Sequence, residues 1–251
     1  MATRTVLRPP PSGAYAHLEP LPDPPRIPDM QQYNHLVAFD SILRAHFAPR
    51  TDLLISGRGY LRREAGNDAE RLAPDCVVAF GVNSAAIVAR NGYVISEVGK
   101  PPDFVLEVAS RSTGRRDYTV KRTGYAGYGV QEYWRFDHTG GRYHDTALAG
   151  DRLVDGVYEP ITINEEPDGV RWGHSPVLGL DLCWDDGELR VYDPVARKYL
   201  PTTLELHAER AAAAARAAAA EGRAAAERAA RLSVETELRR LRERLRRRQA
   251  E

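Results

Sequence analysis

At 251 residues the chain can fill one hydrophobic core with an appended element, and it is too short for two full domains. Lysine plus arginine and aspartate plus glutamate both number 35, so net charge gives no global pull toward nucleic acid, and any such affinity must come from a local patch. No stretch approaches about 18 apolar residues and the N-terminus has no uninterrupted apolar segment, which excludes the signatures of membrane spanning and secretion. Cys76 and Cys183 sit in apolar runs without metal-ligand spacing and read as buried, reduced thiols, as expected in a cytoplasmic protein.

Residues 1–29 carry Pro9, Pro10, Pro11, Pro20, Pro22, Pro24, Pro25 and Pro28, a density that cannot keep helical or ladder hydrogen bonds and predicts an extended arm. Residues 30–200 read as the folded domain. Leu36, Phe39, Leu43 and Phe47 recur at helical spacing and predict an amphipathic helix ending near Pro49. Thr51–Arg62 and Leu72–Val82 read as strands. Ile87–Arg90 and Tyr93–Ser96 flank Asn91-Gly92, a strong hairpin signal, with a brief helix from Ser84 as the competing reading. Pro101 and Pro102 precede a strand over Asp103–Ala109. A loop rich in Ser, Gly and Arg follows, and Asp117 is placed to cap a helix through Lys121 and Tyr125 that Gly127 and Gly129 end. Gln131–Phe136 is the next strand, and short strands separated by Gly, Asp and Pro turns run on to Tyr199. The order strand, strand, helix, strand suits an α/β sandwich core.

Residues 201–251 change composition abruptly to alanine, arginine and glutamate. Alanine is the best helix former, Glu205 and Glu209 lie near the positive end of the helix dipole, and Arg246, Arg247 and Arg248 lie near the negative end, so a long helix is expected. Val234, Leu238, Leu241 and Leu245 form a short seam at coiled-coil spacing, continued weakly by Ala211, Ala215, Ala218, Ala225 and Ala229, which makes self-association through this helix or through the core an expectation. From Leu204 onward 12 arginines face 8 glutamates, a surplus that reads first as a solvated helical face and second as a clamp on nucleic acid.

The chemistry concentrates in Pro74-Asp75-Cys76-Val77-Val78 and Phe104-Val105-Leu106-Glu107-Val108-Ala109-Ser110, two apolar runs with one acidic residue each. A buried carboxylate is costly unless something positive meets it. At about 4 Å apart, two carboxylates would repel by roughly 4 kcal/mol at an effective dielectric near 20, so one would stay protonated unless a cation sat with them. Carboxylate oxygens suit Mg2+ or Mn2+, which keep several waters and accept phosphate oxygens in the remaining positions. Phosphodiester chemistry is the reading that follows. The competing readings are a turn residue for Asp75 and a buried salt-bridge partner, of Lys121 itself, for Glu107.

The run from about Asp52 to Tyr199 resembles the Uma2 family, a branch of the PD-(D/E)XK restriction-endonuclease-like nucleases, in APDCVVAF (73–80), GKPPDFVLEVASRSTGRRD (99–117), KRTGYAGYGVQEYWRFD (121–137) and VLGLDLCW (177–184). The resemblance implies a restriction-endonuclease-like α/β core with a mixed central sheet flanked by helices, followed here by the long C-terminal helix. It implies a metal-dependent DNA endonuclease in which Asp75, Glu107 and the Val108 carbonyl hold Mg2+ or Mn2+, against the alternatives of a non-catalytic nucleic-acid-binding or assembly protein on the same fold and a metal-dependent hydrolase of RNA or nucleotides. Two residues after Glu107, where the wider superfamily has lysine, stands Ala109; the Uma2-like arrangement moves that lysine to Lys121, one turn after Asp117. For Lys121 the competing reading is a surface ion pair with Asp117. Ser110, Arg111, Arg115 and Arg116 are the candidate phosphate contacts, against strand capping and surface solubility. Asp117, Tyr125 and Gln131 are candidates for supporting positions, with core packing and turn roles as their alternatives. Asp40 and Asp52 are the candidates for an upstream acidic ligand.

Overall fold

In a computed structural model of the protein, the described residues are 30–57, 59–66, 71–111 and 113–248. The expected proline-rich arm lies outside them. The first element, α1 (Met30–His46), buries Leu36, Phe39 and Leu43 on one face, as the helical spacing predicts, and gives way to a turn before Pro49.

The expected strand over Thr51–Arg62 is two strands. β1 (Leu53–Ser56) joins the main sheet and β2 (Tyr60–Arg62) leaves it; Gly59, at φ 124°, sits in the break, a conformation that only glycine adopts readily. β3 (Cys76–Phe80) is followed by α2 (Ser84–Ala89) and β4 (Gly92–Val94), and β4 pairs in parallel with β2. The Asn91-Gly92 hairpin is therefore not formed. A short apolar run has too little periodicity to separate strand from helix. Here the Asn83 side chain accepts from Ala86 N at 3.1 Å to cap the helix, and Asn91, at φ 57°, ends it in the left-handed region.

After α3 (Ile95–Val98) and the Pro101-Pro102 break comes β5 (Phe104–Val108). Helix α4 (Gly114–Arg116) runs into a π-helical turn (Asp117–Lys121) and then α5 (Arg122–Tyr128), with Gly129 as its left-handed C-cap at φ 82°. Asp117 is not the cap. The helix starts earlier because the Ser110 carbonyl takes the Gly114 N–H at 3.0 Å, which leaves Asp117 inside the helix and fully buried. Gly127 lies within α5.

The remaining strands are β6 (Glu132–Phe136), β7 (Leu148–Val154), β8 (Val157–Ile161), β9 (Asn164–Glu165), β10 (Arg171–Ser175), β11 (Leu180–Asp185), β12 (Glu188–Asp193) and β13 (Lys198–Tyr199). The main sheet is mixed, in the order β1-β3-β5-β6-β7-β8, with β5 and β6 parallel and its other pairs antiparallel; β13-β12-β11-β10-β9 form a second, antiparallel sheet.

Period-two alternation sorts the main sheet's residues into two cores. Cys76, Val78, Phe104, Leu106, Val108, Trp134 and Phe136 pack with α1 and the antiparallel sheet. Val77, Ala79, Val105 and Tyr133 pack with α2, α5 and the β2–β4 pair. Glu107 shares the parity of Val105, so its carboxylate belongs to the α5 side. Asp75 shares the parity of Val77. The antiparallel register pairs Cys76 with Leu106, and one further step along both strands sets Asp75 across from Glu107.

Chain compactness divides the protein into one unit ending at Thr202 and a second beginning at Thr203. The second is the single helix α6 (Thr203–Arg248), with the seam residues Val234, Leu238, Leu241 and Leu245 exposed within one chain. Cys76 and Cys183 are buried free thiols, and burial pushes the Cys183 thiol up to about 12. Among the described residues no helix is long and apolar enough to cross a membrane.

Candidate functional site

The C-terminal end of β5 gathers charged side chains from four parts of the fold. Glu107 is fully buried, and Lys121 Nζ lies 2.6 Å from its Oε2. Tyr125 OH donates to Glu107 Oε1 at 2.6 Å. Lys121 Nζ also lies 2.8 Å from Asp117 Oδ1. Asp75, only partly buried, accepts the Val108 N–H on Oδ2 at 2.9 Å, and the register of β3 and β5 sets it across from Glu107.

The local helix geometry explains why Asp117, Lys121 and Tyr125 act together. In an α-helix residues four apart drift by about 40° around the axis per step, so three of them would fan out. A π-turn is wider and drifts the other way. One π-turn over Asp117–Lys121 followed by an α-turn to Tyr125 nearly cancels the drift and lines the three up toward Glu107.

Burial dominates the electrostatics. It pushes the Glu107 carboxyl well above the usual carboxylate range, Lys121 pulls it partly back, and Asp75 and Asp117 push it up again. Burial also raises Asp75, against the pull of Lys121. For Lys121 burial works against the ammonium, but Glu107, Asp117 and Asp75 outweigh it and its pKa is raised. The charges of three carboxyls thus bear on one ammonium.

Among the described residues no group of three His, Cys, Asp or Glu side chains is arranged to hold a metal. The Asp75–Glu107 pair fits a more modest demand, that of a small hard dication that takes one or two carboxylates and completes its shell with water and phosphate. Such an ion would offset the repulsion between the two carboxylates. The Val108 carbonyl, expected as a third oxygen ligand, accepts from Gln32 Nε2 at 2.6 Å, which leaves its second lone pair. Sequence reading missed Gln32, although a signal was present: it lies four residues before Leu36, and so continues the buried stripe of α1 as a polar residue on an apolar face. His144, fully buried with Nε2 3.0 Å from Asp117 Oδ2, was also missed, and nothing local marks it because it stands in a loop.

The other candidates fall outside this cluster. Ser110 is buried and its hydroxyl meets Thr113 Oγ1 at 2.7 Å, within the turn that starts α4. Arg111, Arg115 and Arg116 are exposed along the loop and first helical turn. Gln131 is exposed, and its carbonyl accepts from Leu153 N at 2.8 Å. Asp40 pairs with Arg44 at 2.6 Å and Asp52 with Arg50 at 2.8 Å, so neither joins the carboxylates at β5.

The sequence profile of the Uma2 family, described as "Putative restriction endonuclease", matches residues 36–214. Among solved structures, one described as a "putative nuclease belonging to DUF820 from Anabaena variabilis ATCC 29413" is similar at 16% identity with a TM-score of 0.41, over 63% of this chain and 78% of that one. None of the curated proteins compared matches the chain.

Proposed function

The chain belongs to the Uma2 family of restriction-endonuclease-like nucleases, and from that premise we propose that it is a Mg2+- or Mn2+-dependent DNA endonuclease with its reaction centre at the end of β5. The observation that carries the reading is the buried ammonium of Lys121 held 2.6 Å from Glu107, with Asp75 set across from Glu107 by the register of β3 and β5. A divalent ion bound there supplies an activated water and neutralises charge on the phosphate. Asp75 and Glu107 are the residues that would hold it. Lys121, fixed between Glu107 and Asp117, presents positive charge toward the oxygens of the scissile phosphate. Tyr125 fixes the Glu107 carboxylate by its hydrogen bond. Exposed Arg111, Arg115 and Arg116 grip the DNA backbone, with no sequence information in such contacts. The reading includes a reducing cytoplasmic setting and self-association through the α6 seam or the core.

One observation favours a rival. Glu107 is already neutralised by Lys121, which is what a non-catalytic protein using this fold for binding or assembly would show. Nicking of supercoiled plasmid by the full chain with Mg2+, Mn2+ or EDTA, beside Glu107→Ala, separates the two. Metal-dependent nicking that Glu107→Ala abolishes is the expected result. Absence of nicking by a folded wild type that also shows no metal-induced rise in Tm would establish the rival.

A further inference from the structure

The loop after β6 carries a feature that the nuclease reading does not use. Asp137 accepts four hydrogen bonds from it: Thr139 N at 2.8 Å, Thr139 Oγ1 at 2.6 Å, Tyr143 N at 2.7 Å and His144 N at 2.8 Å. Burial opposes the Asp137 charge, but these donors outweigh it and hold its carboxyl below the usual range. On the other side, Gly114 lets the loop close on the helix. A Cβ at that position would fall 2.1 Å from the Tyr143 carbonyl oxygen, a distance no side chain tolerates. Two independent devices, a carboxylate and a missing side chain, thus press one short loop segment against α4.

What they deliver is the imidazole of His144. Its Nε2 meets Asp117 Oδ2 at 3.0 Å, Asp117 Oδ1 meets Lys121 Nζ at 2.8 Å, and Lys121 Nζ meets Glu107 Oε2 at 2.6 Å. Tyr133 OH pins the Asp117 carbonyl from the sheet at 2.8 Å. An ionised carboxylate only accepts, so Nε2 carries the hydrogen and Nδ1 is left as a buried atom with no hydrogen-bond partner among the described residues. An apolar residue would fill this place without orphaning a nitrogen, so packing alone does not account for a histidine here.

We propose that His144 is a positioning residue of the reaction centre, which acts through Asp117 to hold the Lys121 ammonium at a fixed angle to Glu107. The inference deepens the nuclease reading and rests on it. Lys121 keeps its charge without His144. Its orientation depends on both Asp117 oxygens being engaged, one by the imidazole and one by the ammonium. With Oδ2 released, the carboxylate turns about its own bond and the ammonium turns with it, which weakens stabilisation of the reacting phosphate and leaves substrate binding unchanged.

The test uses the full chain as wild type, His144→Ala and His144→Gln, the glutamine keeping an amide N–H in reach of Asp117. Two quantities are read: kcat and KM for plasmid nicking with Mn2+, and the rate at which an acylating reagent modifies Lys121 in metal-free protein, followed by peptide mass spectrometry. Removing an outer partner of a site typically costs about tenfold or more. The expected result is a kcat for His144→Ala down about tenfold with KM unchanged, faster acylation of Lys121, and recovery of both in His144→Gln. Gly114→Ala, which pushes the loop away without touching His144, reproduces the alanine variant's labelling. An unchanged Lys121 acylation rate in a folded His144→Ala protein overturns the inference, as does a kcat equal to wild type or an equal loss in His144→Gln. If the wild type does not cut, the nuclease reading falls, and Lys121 labelling still decides whether the His144–Asp117–Lys121 chain exists.

Discussion

Two acid–base pairs four residues apart invite comparison. Asp117 and Lys121 lie 2.8 Å apart with 0% and 5% of their side chains exposed, whereas Glu227 and Arg231 lie 3.0 Å apart with 67% and 75% exposed. By spacing and distance they are nearly the same interaction. In α6 the pair stands in water, where such i,i+4 contacts contribute about 0.3–0.5 kcal/mol and salt screens them. Beside β5 the same spacing sets an ammonium between the buried carboxyls of Asp117 and Glu107, with Asp75 nearby, and these charges raise the Lys121 pKa despite burial. The lesson is that a pairing pattern read along a helix has no fixed energetic or chemical meaning until the surroundings are known.

The largest expected effect comes from breaking the buried member. Lys121→Met strands Glu107 and Asp117 without a cation, and removing one partner of a buried pair typically costs about 3–5 kcal/mol. Chemical denaturation should show that loss, and nicking should fall to background. A variant as stable as wild type would put the pair on a level with the one in α6.

Next in size is a metal-linkage effect. At 100 times its dissociation constant a ligand stabilises the folded state by about 2.7 kcal/mol. Calorimetry with Mn2+ should show a rise in Tm for the wild type that Asp75→Asn lacks. An equal rise in both would remove Asp75 from the cation's shell.

Glu107→Gln sharpens the contrast differently, because it removes function while sparing the fold. The amide oxygen still accepts from Lys121, its NH2 donates to the Tyr125 hydroxyl oxygen, and Asp117 keeps the ammonium paired, so the melting curve should shift by less than about 1 kcal/mol in stability while nicking disappears. Collapse of this variant would show that Glu107 serves the fold above all. The smallest effect belongs to α6. Glu227→Ala should change stability by no more than about 0.5 kcal/mol, and removing the chain from Thr203 onward should leave the melting of the remainder unchanged. Light scattering on that truncated protein reads the seam: a dimer that persists lies in the core instead.

Much of the site was legible because its residue types are costly where they stand. A carboxylate in Phe104–Val108 and another beside Cys76–Phe80 could be found from the sequence, since apolar runs of that kind become buried strands and buried charge demands a partner. Helical spacing set Lys121 on one face with Asp117, and the family resemblance pointed it to Glu107. The helix that carries it was legible, whereas its start was not, because Ser110 backbone chemistry and the close approach at Gly114 decide that boundary. The hairpin at Asn91-Gly92 failed for a similar reason: the turn signal was present, but it served the end of a helix, and only the parallel pairing of β4 with β2 settled which.

The sequence by itself determined an α/β core, the long C-terminal helix and the presence of one carboxylate beside or within each of two apolar strands, because each depends on composition or periodicity over a contiguous stretch. The tertiary structure alone decided that Gln32 would cover the Val108 carbonyl from 76 positions away and that His144 would reach Asp117 across 27. Contacts of that kind arise from strand register, helix phase and loop closure acting together, and no local pattern encodes the distance between two side chains that only the packed fold brings within a hydrogen bond.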